Sequence, residues 1–337
     1  MRRHLRIGAA ALAAALAAIG APRLQAGGED AKAAAVMAHV RKALGGEQAL
    51  TSVNALSIRA AFRRELAAGI PGGGGTFVIM SGGGAFGGGG SQVSGSIEID
   101  VVLPDRFYRQ ESTSSGMQMT RIDGFDGDRP FIDMFSNSPG TRVTVDRPED
   151  NPERAAALLK RTRSDLARLL LGLVGRTQAG MPVTYAYAGQ AESPDGTADV
   201  IDVTGPDDFK VRLFVDSASR LPLMLTYSDV EPQVRTMTMR RDGPSRAAEG
   251  GAHGASRGDV TPEQQAEIEK QREQAGAAPR TMIEFRMFFS DHRETNGLML
   301  PHRIARGTAE KTTEEWEIKD YKVNPDIKPD RFKVGTE

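Results

Sequence analysis

Short segments in which apolar and polar residues alternate with a period of two recur along most of this sequence. In the first of them, Leu56, Ile58 and Phe62 alternate with Ser57 and Arg63. Further segments of this kind occupy residues 97–103, 107–110, 117–122, 183–187, 200–204, 210–215, 223–227, 234–239, 282–289, 302–305 and 313–321. A period of two is typical of strands with one buried face, and parallel strands would need helical crossovers between them. The pattern therefore predicts an antiparallel sheet in an α+β chain.

Two segments have the spacing of amphipathic helices instead. Residues 28–44 place an apolar residue on one face at each turn, and Gly45 and Gly46 supply a stop. Residues 150–175 form the clearer helix, with Asp150 and Glu153 as a capping box, Pro152 in the first turn and Gly175 at the end.

The second helix is expected to cover a sheet with its apolar stripe. The stripe consists of Leu158, Leu159, Thr162, Leu166, Leu169, Leu170 and Leu173. The basic side chains are expected to lie largely off this stripe; they are Lys160, Arg161, Arg163 and Arg168.

The first 26 residues are predicted to be a secretory signal peptide, with cleavage after Ala26. A basic start precedes the apolar run 7–19, which is shorter than the roughly 20 residues that a transmembrane helix needs. The pair Arg2 and Arg3 leaves twin-arginine export open beside the ordinary route. No later segment is long and apolar enough to cross a membrane, so we expect a soluble periplasmic protein.

Composition excludes several classes of function. The chain has no cysteine, which removes disulfides, thiolate metal sites and the lipidated cysteine of an anchored lipoprotein. Without the signal, 39 basic residues face 44 acidic ones, a net charge of −5, so no nucleic-acid partner is expected. The region 27–337 is predicted to be one domain and a monomer.

Two polar, low-complexity stretches interrupt the strand pattern. Residues 71–91 are rich in glycine and are predicted to form a flexible hairpin loop, because the lysine of a phosphate-binding loop is missing. Residues 242–280 are predicted to be an exposed insertion, partly disordered, with a helix that begins at Thr261 and Pro262.

The run Ser290-Asp291-His292 resembles the residue types of a hydrolase, but three consecutive side chains point in different directions and rarely assemble a triad. Asn296 and Gly297 follow, and this pair is typical of a hairpin turn. Residues 209–229 and 283–307 share an order of strand, turn, Leu-Pro and strand, which predicts successive hairpins of one sheet.

No motif indicates a catalytic, metal or cofactor site. The histidines lack metal-ligand spacing, and no nucleophile elbow or Walker sequence occurs. The run 123–128, DGFDGD, lacks the ligand ladder of a calcium loop and is predicted to be a turn between strands. The chain is therefore expected not to be an enzyme and to bind no cofactor.

A series of short motifs carries a resemblance. After the signal and first helix come LPDRFYRQE, IDGFDGDRPFID, the leucine-rich helix, VDSASRLPLML, NGLMLPHRI and a closing YKVNPDIKPDRFKV. This order resembles the periplasmic lipoprotein-localisation carriers (LolA/LolB-like) and the wider group of outer-membrane lipoprotein-sorting-like proteins. The glycine-rich stretch and the insertion depart from the compact carriers.

The resemblance implies a strongly curved antiparallel half-barrel of about ten to twelve strands, with helices over its concave face. It also implies a hydrophobic cavity for the acyl chains of a lipid or lipoprotein, for transport or sorting toward the outer membrane, with an inner- or outer-membrane protein as a further partner. We expect the cavity to be lined by Phe62, Ile99, Leu158, Leu166, Leu169, Leu170, Phe285 and Phe289. The alternatives are a lipid or lipoprotein sensor on the same fold and an extracytoplasmic hydrolase with a carboxylate site.

Overall fold

The computed structural model describes residues 30–65, 76–80, 84–87, 92–114, 118–136, 148, 151–230, 234–238 and 282–334. The predicted signal peptide lies outside the described residues, and so does the insertion 242–280 with its predicted helix. The prediction of a single domain over 27–337 stays a prediction.

Fifteen strands are described, and all their pairings are antiparallel. They are β1 (Ala55–Glu65), β2 (Thr76–Met80), β3 (Gly84–Gly87), β4 (Gln92–Val102), β5 (Arg106–Thr113), β6 (Met119–Asp126), β7 (Arg129–Ser136), β8 (Thr184–Ser193), β9 (Gly196–Thr204), β10 (Lys210–Asp216), β11 (Pro222–Val230), β12 (Val234–Thr238), β13 (Met282–Thr295), β14 (Leu298–Thr308) and β15 (Thr312–Val323).

Twelve of these strands form one sheet in the order β7-β6-β5-β4-β1-β15-β14-β13-β11-β10-β9-β8. Among the described strands, β7 and β8 are its two edges, so the sheet is open as in a half-barrel. The predicted fold class and strand number are confirmed. The two Leu-Pro hairpins are also adjacent as predicted, because β11 pairs with β13.

The described residues contain three α-helices. They are α1 (Ala31–Ala43), α2 (Glu47–Thr51) and α3 (Pro152–Val174). The N-cap of α3 is Asn151, whose Oδ1 accepts from the amides of Glu153 at 3.0 Å and Arg154 at 3.1 Å. The prediction of Asp150 as the cap is therefore wrong by one residue. Gly175 ends the helix with a φ of 64°, as predicted.

The first residue described, Asp30, has two roles. Its Oδ1 caps α1 by accepting from the amide of Lys32 at 2.8 Å. Its amide donates to the carbonyl of Tyr185 at 3.3 Å, and its Oδ2 accepts from the amide of Tyr187 at 3.1 Å. The start of α1 is thereby fixed to the edge strand β8.

The glycine-rich stretch 71–91 contains two strands where a flexible hairpin loop was predicted. β2 and β3 form a hairpin, and β12 completes a three-stranded sheet on the other side of β2. The sequence of β2, TFVIM, consists of β-branched and large apolar residues that favour strands. The glycines around these residues obscured that signal.

The segment with Ser290, Asp291 and His292 lies within β13, before the turn rather than in it. The turn is formed by Asn296 and Gly297, with φ values of 50° and 79°, between the paired residues 295 and 298. Both φ values are positive, as the tight turn of a two-residue hairpin requires. The predicted hairpin is confirmed at Asn296-Gly297.

The C-terminal motif tucks an aromatic ring under the sheet. Asn324, with a φ of 55°, accepts at Oδ1 from the amides of Asn54 at 2.7 Å and Ala55 at 3.1 Å. Phe332 is then 1% exposed and packs with Tyr108 and Phe131. The end of the chain thus covers part of one face of the main sheet, the face opposite to the one on which α1 and α3 lie.

Candidate functional site

The helices α1 and α3 lie on one face of the main sheet, which we call the inner face. One cluster of buried apolar side chains joins both helices to strands from β6 to β9 across the sheet. On α3, all residues from 166 to 174 are buried. Gly172 allows the ring of Phe289 on β13 to touch the helix backbone, because a β-carbon there would overlap the ring.

Six of the eight residues predicted to line a cavity belong to this cluster. They are Phe62, Ile99, Leu166, Leu169, Leu170 and Phe289, each at most 3% exposed. The other two, Leu158 and Phe285, are half-buried. Phe285 stacks on Tyr227 of β11 with ring centroids 5.6 Å apart. That these residues line a cavity stays a prediction.

The inner face becomes charged along six of its strands, β1, β5, β6, β11, β14 and β15. On β5, Phe107 is followed by Arg109 and Glu111 at alternate positions, hence on the same face. On β6, Phe125 lies opposite Phe107 and Asp123 lies opposite Arg109. Charged groups on this face and on the adjoining part of α3 form what we call the arginine cluster. Its members are Arg64, Arg109, Arg121, Arg161, Arg168 and Arg306, with the carboxylates Glu111, Asp123, Asp165, Asp229 and Glu314.

Arg109 connects the sheet to α3. Its Nη2 donates to Oδ2 of Asp123 at 2.7 Å, its Nε donates to Oδ1 of Asp123 at 3.2 Å, and its Nη1 donates to Asp165 at 3.2 Å. The side chain of Asp123 is 2% exposed. Burial, the largest influence, would raise the pKa of Asp123, but Arg109 and Arg121 lower it well below the usual range. Asp123 is therefore ionised at neutral pH.

Asp165 of α3 lies among four arginines. Burial, the largest influence, would raise its pKa, but Arg109, Arg306, Arg168 and Arg161 together lower it. Arg168 donates to Asp165 at 3.3 Å. This carboxylate therefore faces an excess of positive charge.

Arg168 also contacts β11, although it was expected to lie off the buried stripe. Its guanidinium carbon is 3.7 Å from the ring centroid of Tyr227, and its Nη1 is 3.5 Å from Asp229. Arg168 is 7% exposed. The expectation is wrong for Arg168 because carboxylates and an aromatic ring replace water around its charge.

A second part of the cluster lies on the central strands. Arg64 of β1 donates to Glu111 at 2.6 Å and to Glu314 of β15 at 2.8 Å. Arg306 of β14 lies opposite Glu314 in the sheet, with its guanidinium carbon 4.7 Å from the ring centroid of Trp316. Burial would raise the pKa of Glu314, but Arg64 and Arg306 lower it.

Several guanidinium nitrogens of the cluster are buried without a hydrogen-bond partner. They are Nε and Nη2 of Arg121, and Nε of Arg161, Arg168 and Arg306. The side chain of Arg121 is 7% exposed, and its Nε lies 3.5 Å from Asp123 without a hydrogen bond between them. Guanidinium groups of this kind can donate to an additional anion that binds as a ligand.

Sequence reasoning missed the arginine cluster. The run 123–128 was predicted to be a turn, yet Asp123 belongs to β6 and only residues 127 and 128 form the turn. The available signal was that each of two strands contains an arginine and an acid two residues apart. These pairs are Arg109 with Glu111 and Arg121 with Asp123. Their pairing across β5 and β6 is what joins them.

The run Ser290-Asp291-His292 has no triad geometry. Asp291 accepts from both Nε and Nη2 of Arg293, at 3.0 and 2.6 Å, and the buried Nε2 of His292 has no hydrogen-bond partner. Within the described residues, no group of three or more acidic or histidine side chains is arranged to hold a metal ion. No helix in the same part of the chain is long and apolar enough to span a bilayer.

Comparisons with known proteins find likeness in structure only. No protein family matches the sequence, and no curated protein matches it. A LolA superfamily protein from Nitrosomonas europaea aligns over 89% of this chain and 96% of its own, with 10% identity and a TM-score of 0.40. A domain assigned to an outer membrane lipoprotein-sorting protein from Vibrio parahaemolyticus covers 88% of this chain and 94% of its own, with 9% identity and a TM-score of 0.37.

A DUF1329 family protein from Desulfovibrio piger covers 89% of this chain and 96% of its own, with 7% identity and a TM-score of 0.37. The first two descriptions name the group that the sequence motifs resemble. At these identities the likeness concerns the fold and says nothing of a ligand.

Proposed function

We propose that this protein binds the acyl chains of a lipid or lipoprotein between α3 and the inner face, and carries them through the periplasm toward the outer membrane. The strongest support is the difference in burial between the two ends of α3. Residues 166–174 are all buried, whereas residues 152–161 are exposed or half-buried. Because α3 is held at its C-terminal end and less covered at its N-terminal end, its N-terminal part can move aside to admit an acyl chain.

The apolar character of the inner face supplies the driving force. Each methylene group removed from water contributes about 0.8 kcal/mol, so a long acyl chain binds without any catalytic group. Leu158 and Phe285 are half-buried, so each keeps part of its apolar surface exposed. Apolar groups of this kind are the ones available to a ligand.

The ionisation state of the buried acids supports a binding function rather than hydrolysis. A general acid needs a raised pKa, so that it holds a proton at neutral pH. Arginines instead lower the pKa values of Asp123, Asp165 and Glu314. These carboxylates are suited to fixing arginines rather than to transferring protons.

The proposal is tested by extracting the exported, purified protein with organic solvent and analysing the extract by mass spectrometry. We expect acyl lipid in amounts comparable to the protein. A protein that carries none, and that also fails to bind a fluorescent fatty acid, contradicts the proposal.

A matched pair of variants on α3 locates the binding surface. Leu158→Asp places a charge at a half-buried position and is expected to reduce the bound lipid several-fold, because burying an unpaired charge is costly. Lys160→Asp changes an exposed position of the same helix and is expected to leave the bound lipid unchanged. Equal lipid content in both variants would place the ligand elsewhere.

A further inference from the structure

We infer that the ligand is an anionic amphiphile, whose acidic headgroup binds to the arginine cluster while its chain lies on the adjoining apolar part of the inner face. The inference rests on the proposed binding of acyl chains and adds the chemical class of the headgroup. The headgroup is a carboxylate or a phosphate, the two anions whose geometry a guanidinium fits best.

The apolar and charged parts of the inner face meet along the strands. Phe107 is two residues from Arg109 on β5, Phe125 is two residues from Asp123 on β6, and Phe62 is two residues from Arg64 on β1. Successive residues on one face of a strand lie about 7 Å apart, twice the rise per residue. A molecule with a charged head and an apolar tail matches that sequence of surfaces.

The cluster offers hydrogen-bond donors that the protein does not use. Arg121 presents Nε and Nη2 without a partner, from a side chain that is 7% exposed. Arg161, Arg168 and Arg306 each present an unpartnered Nε. An unsatisfied buried donor destabilises the free protein, and an anion that accepts from it removes this cost.

The charge of the cluster favours an anion as well. Six arginines lie among five carboxylates, of which Asp229 is 43% exposed and so contributes the weakest field. Burial, the largest influence, lowers the pKa of Arg121 despite the neighbouring Asp123. Arg121 is thus a buried cation whose charge the protein compensates only in part.

The experiment compares ligands that share one chain and differ in headgroup. Delipidated protein is titrated by calorimetry with palmitate, with lysophosphatidate of the same chain length, with neutral monopalmitoylglycerol and with inorganic phosphate. We expect palmitate or lysophosphatidate to bind about tenfold more tightly than the neutral ester, the gain of roughly one charge-assisted hydrogen bond. Inorganic phosphate alone is expected to bind far more weakly.

Two variants assign the preference to the cluster. Arg121→Met and Arg161→Met each remove a charge at similar length, and each is expected to reduce the affinity for the anionic ligand about tenfold while leaving the neutral ester unchanged. Arg161 is half-buried, so its variant serves even if Arg121→Met does not fold. Arg63→Met, at an exposed position on the opposite face of β1, is the control and is expected to bind as the wild type does.

The outcomes separate the two proposals. Equal affinity for the anionic and neutral ligands overturns the headgroup assignment and leaves the binding of acyl chains intact. Binding of none of the lipids overturns both. Binding of inorganic phosphate as tightly as lysophosphatidate assigns the cluster to a free anion and overturns the inference, and so does an anion preference that both cluster variants retain.

Discussion

Gly172 of α3 faces the ring of Phe289 on β13 so closely that a β-carbon at position 172 would overlap the Cε1, Cε2 and Cζ atoms of that ring. The contact fixes how near the helix lies to the sheet. It also sets the position of the neighbouring Leu169 and Leu173, which are both buried.

Gly172→Ala is expected to destabilise the protein. Alanine favours a helix over glycine by about 1 kcal/mol, but overpacking of this kind costs about 1–3 kcal/mol or more, so the net effect is a loss. Chemical unfolding measures it, and Gly180→Ala, where nothing lies within 4 Å, is the control. In the double variant with Phe289→Leu, part of the loss should be recovered, and strictly additive losses would argue against the contact.

Arg109→Met is expected to destabilise the protein by about 3–5 kcal/mol, because it leaves the ionised Asp123 buried without its main partner. Arg293→Met is a matched control: Arg293 also makes a two-bond contact to an aspartate, but the two side chains are 61% and 45% exposed. Exposed pairs contribute at most about 1 kcal/mol. Urea unfolding measures the free energy of unfolding of both variants. A similar loss in the two would contradict the role of Arg109 in a buried charge network.

The stability of the protein is expected to fall as the pH is lowered from about 6.5 to about 4, through His292. Burial, the largest influence, lowers the pKa of His292 to about 4, and Asp291 opposes it. In this range the unfolded chain binds the proton and the folded chain does not, so acidification favours unfolding.

His292→Gln should flatten this dependence, which unfolding at a series of pH values measures. The acids of the arginine cluster contribute at lower pH, because their pKa values are lowered and their stabilisation is lost only as the pH falls through those values. If the wild type and the variant lost the same stability between pH 6.5 and 4, His292 would be excluded as the cause of the pH dependence.

Asn151→Ala is expected to cost about 1 kcal/mol, because the amides of Glu153 and Arg154 lose the side chain that caps them. Asn151→Asp keeps the acceptor and should retain nearly full stability. Thermal unfolding compares the two. If the aspartate variant were as unstable as the alanine variant, capping would not be the role of this residue.

Sequence alone was sufficient where the signal is local. Alternation identified most strands, Gly175 fixed the end of α3, and Asn296 with Gly297 fixed a hairpin, because each of these depends on a few neighbouring residues. The resemblance of the motifs supplied the half-barrel.

The arginine cluster could not be predicted from the sequence, because its burial depends on residues that are distant along the chain. In β5, both alternating sets contain polar residues, Arg109 and Glu111 in one and Gln110 in the other, so alternation does not say which set is buried. Arg109 is inside only because Asp123 and Asp165, 14 and 56 residues away, are placed beside it by the fold. Burial of a charge is decided by its partners rather than by its own sequence position.

The bonds of Asp30 to β8 affect how copies of this protein meet. An edge strand exposes amides and carbonyls on which the strand of another molecule can grow, and polymerisation by this route is a hazard of open sheets. Asp30 occupies the carbonyl of Tyr185 and the amide of Tyr187, and the register of β8 shifts between Tyr187 and Gly189. The residue that starts the first helix therefore also occupies two of the backbone groups through which a strand of another molecule could add to this edge of the sheet.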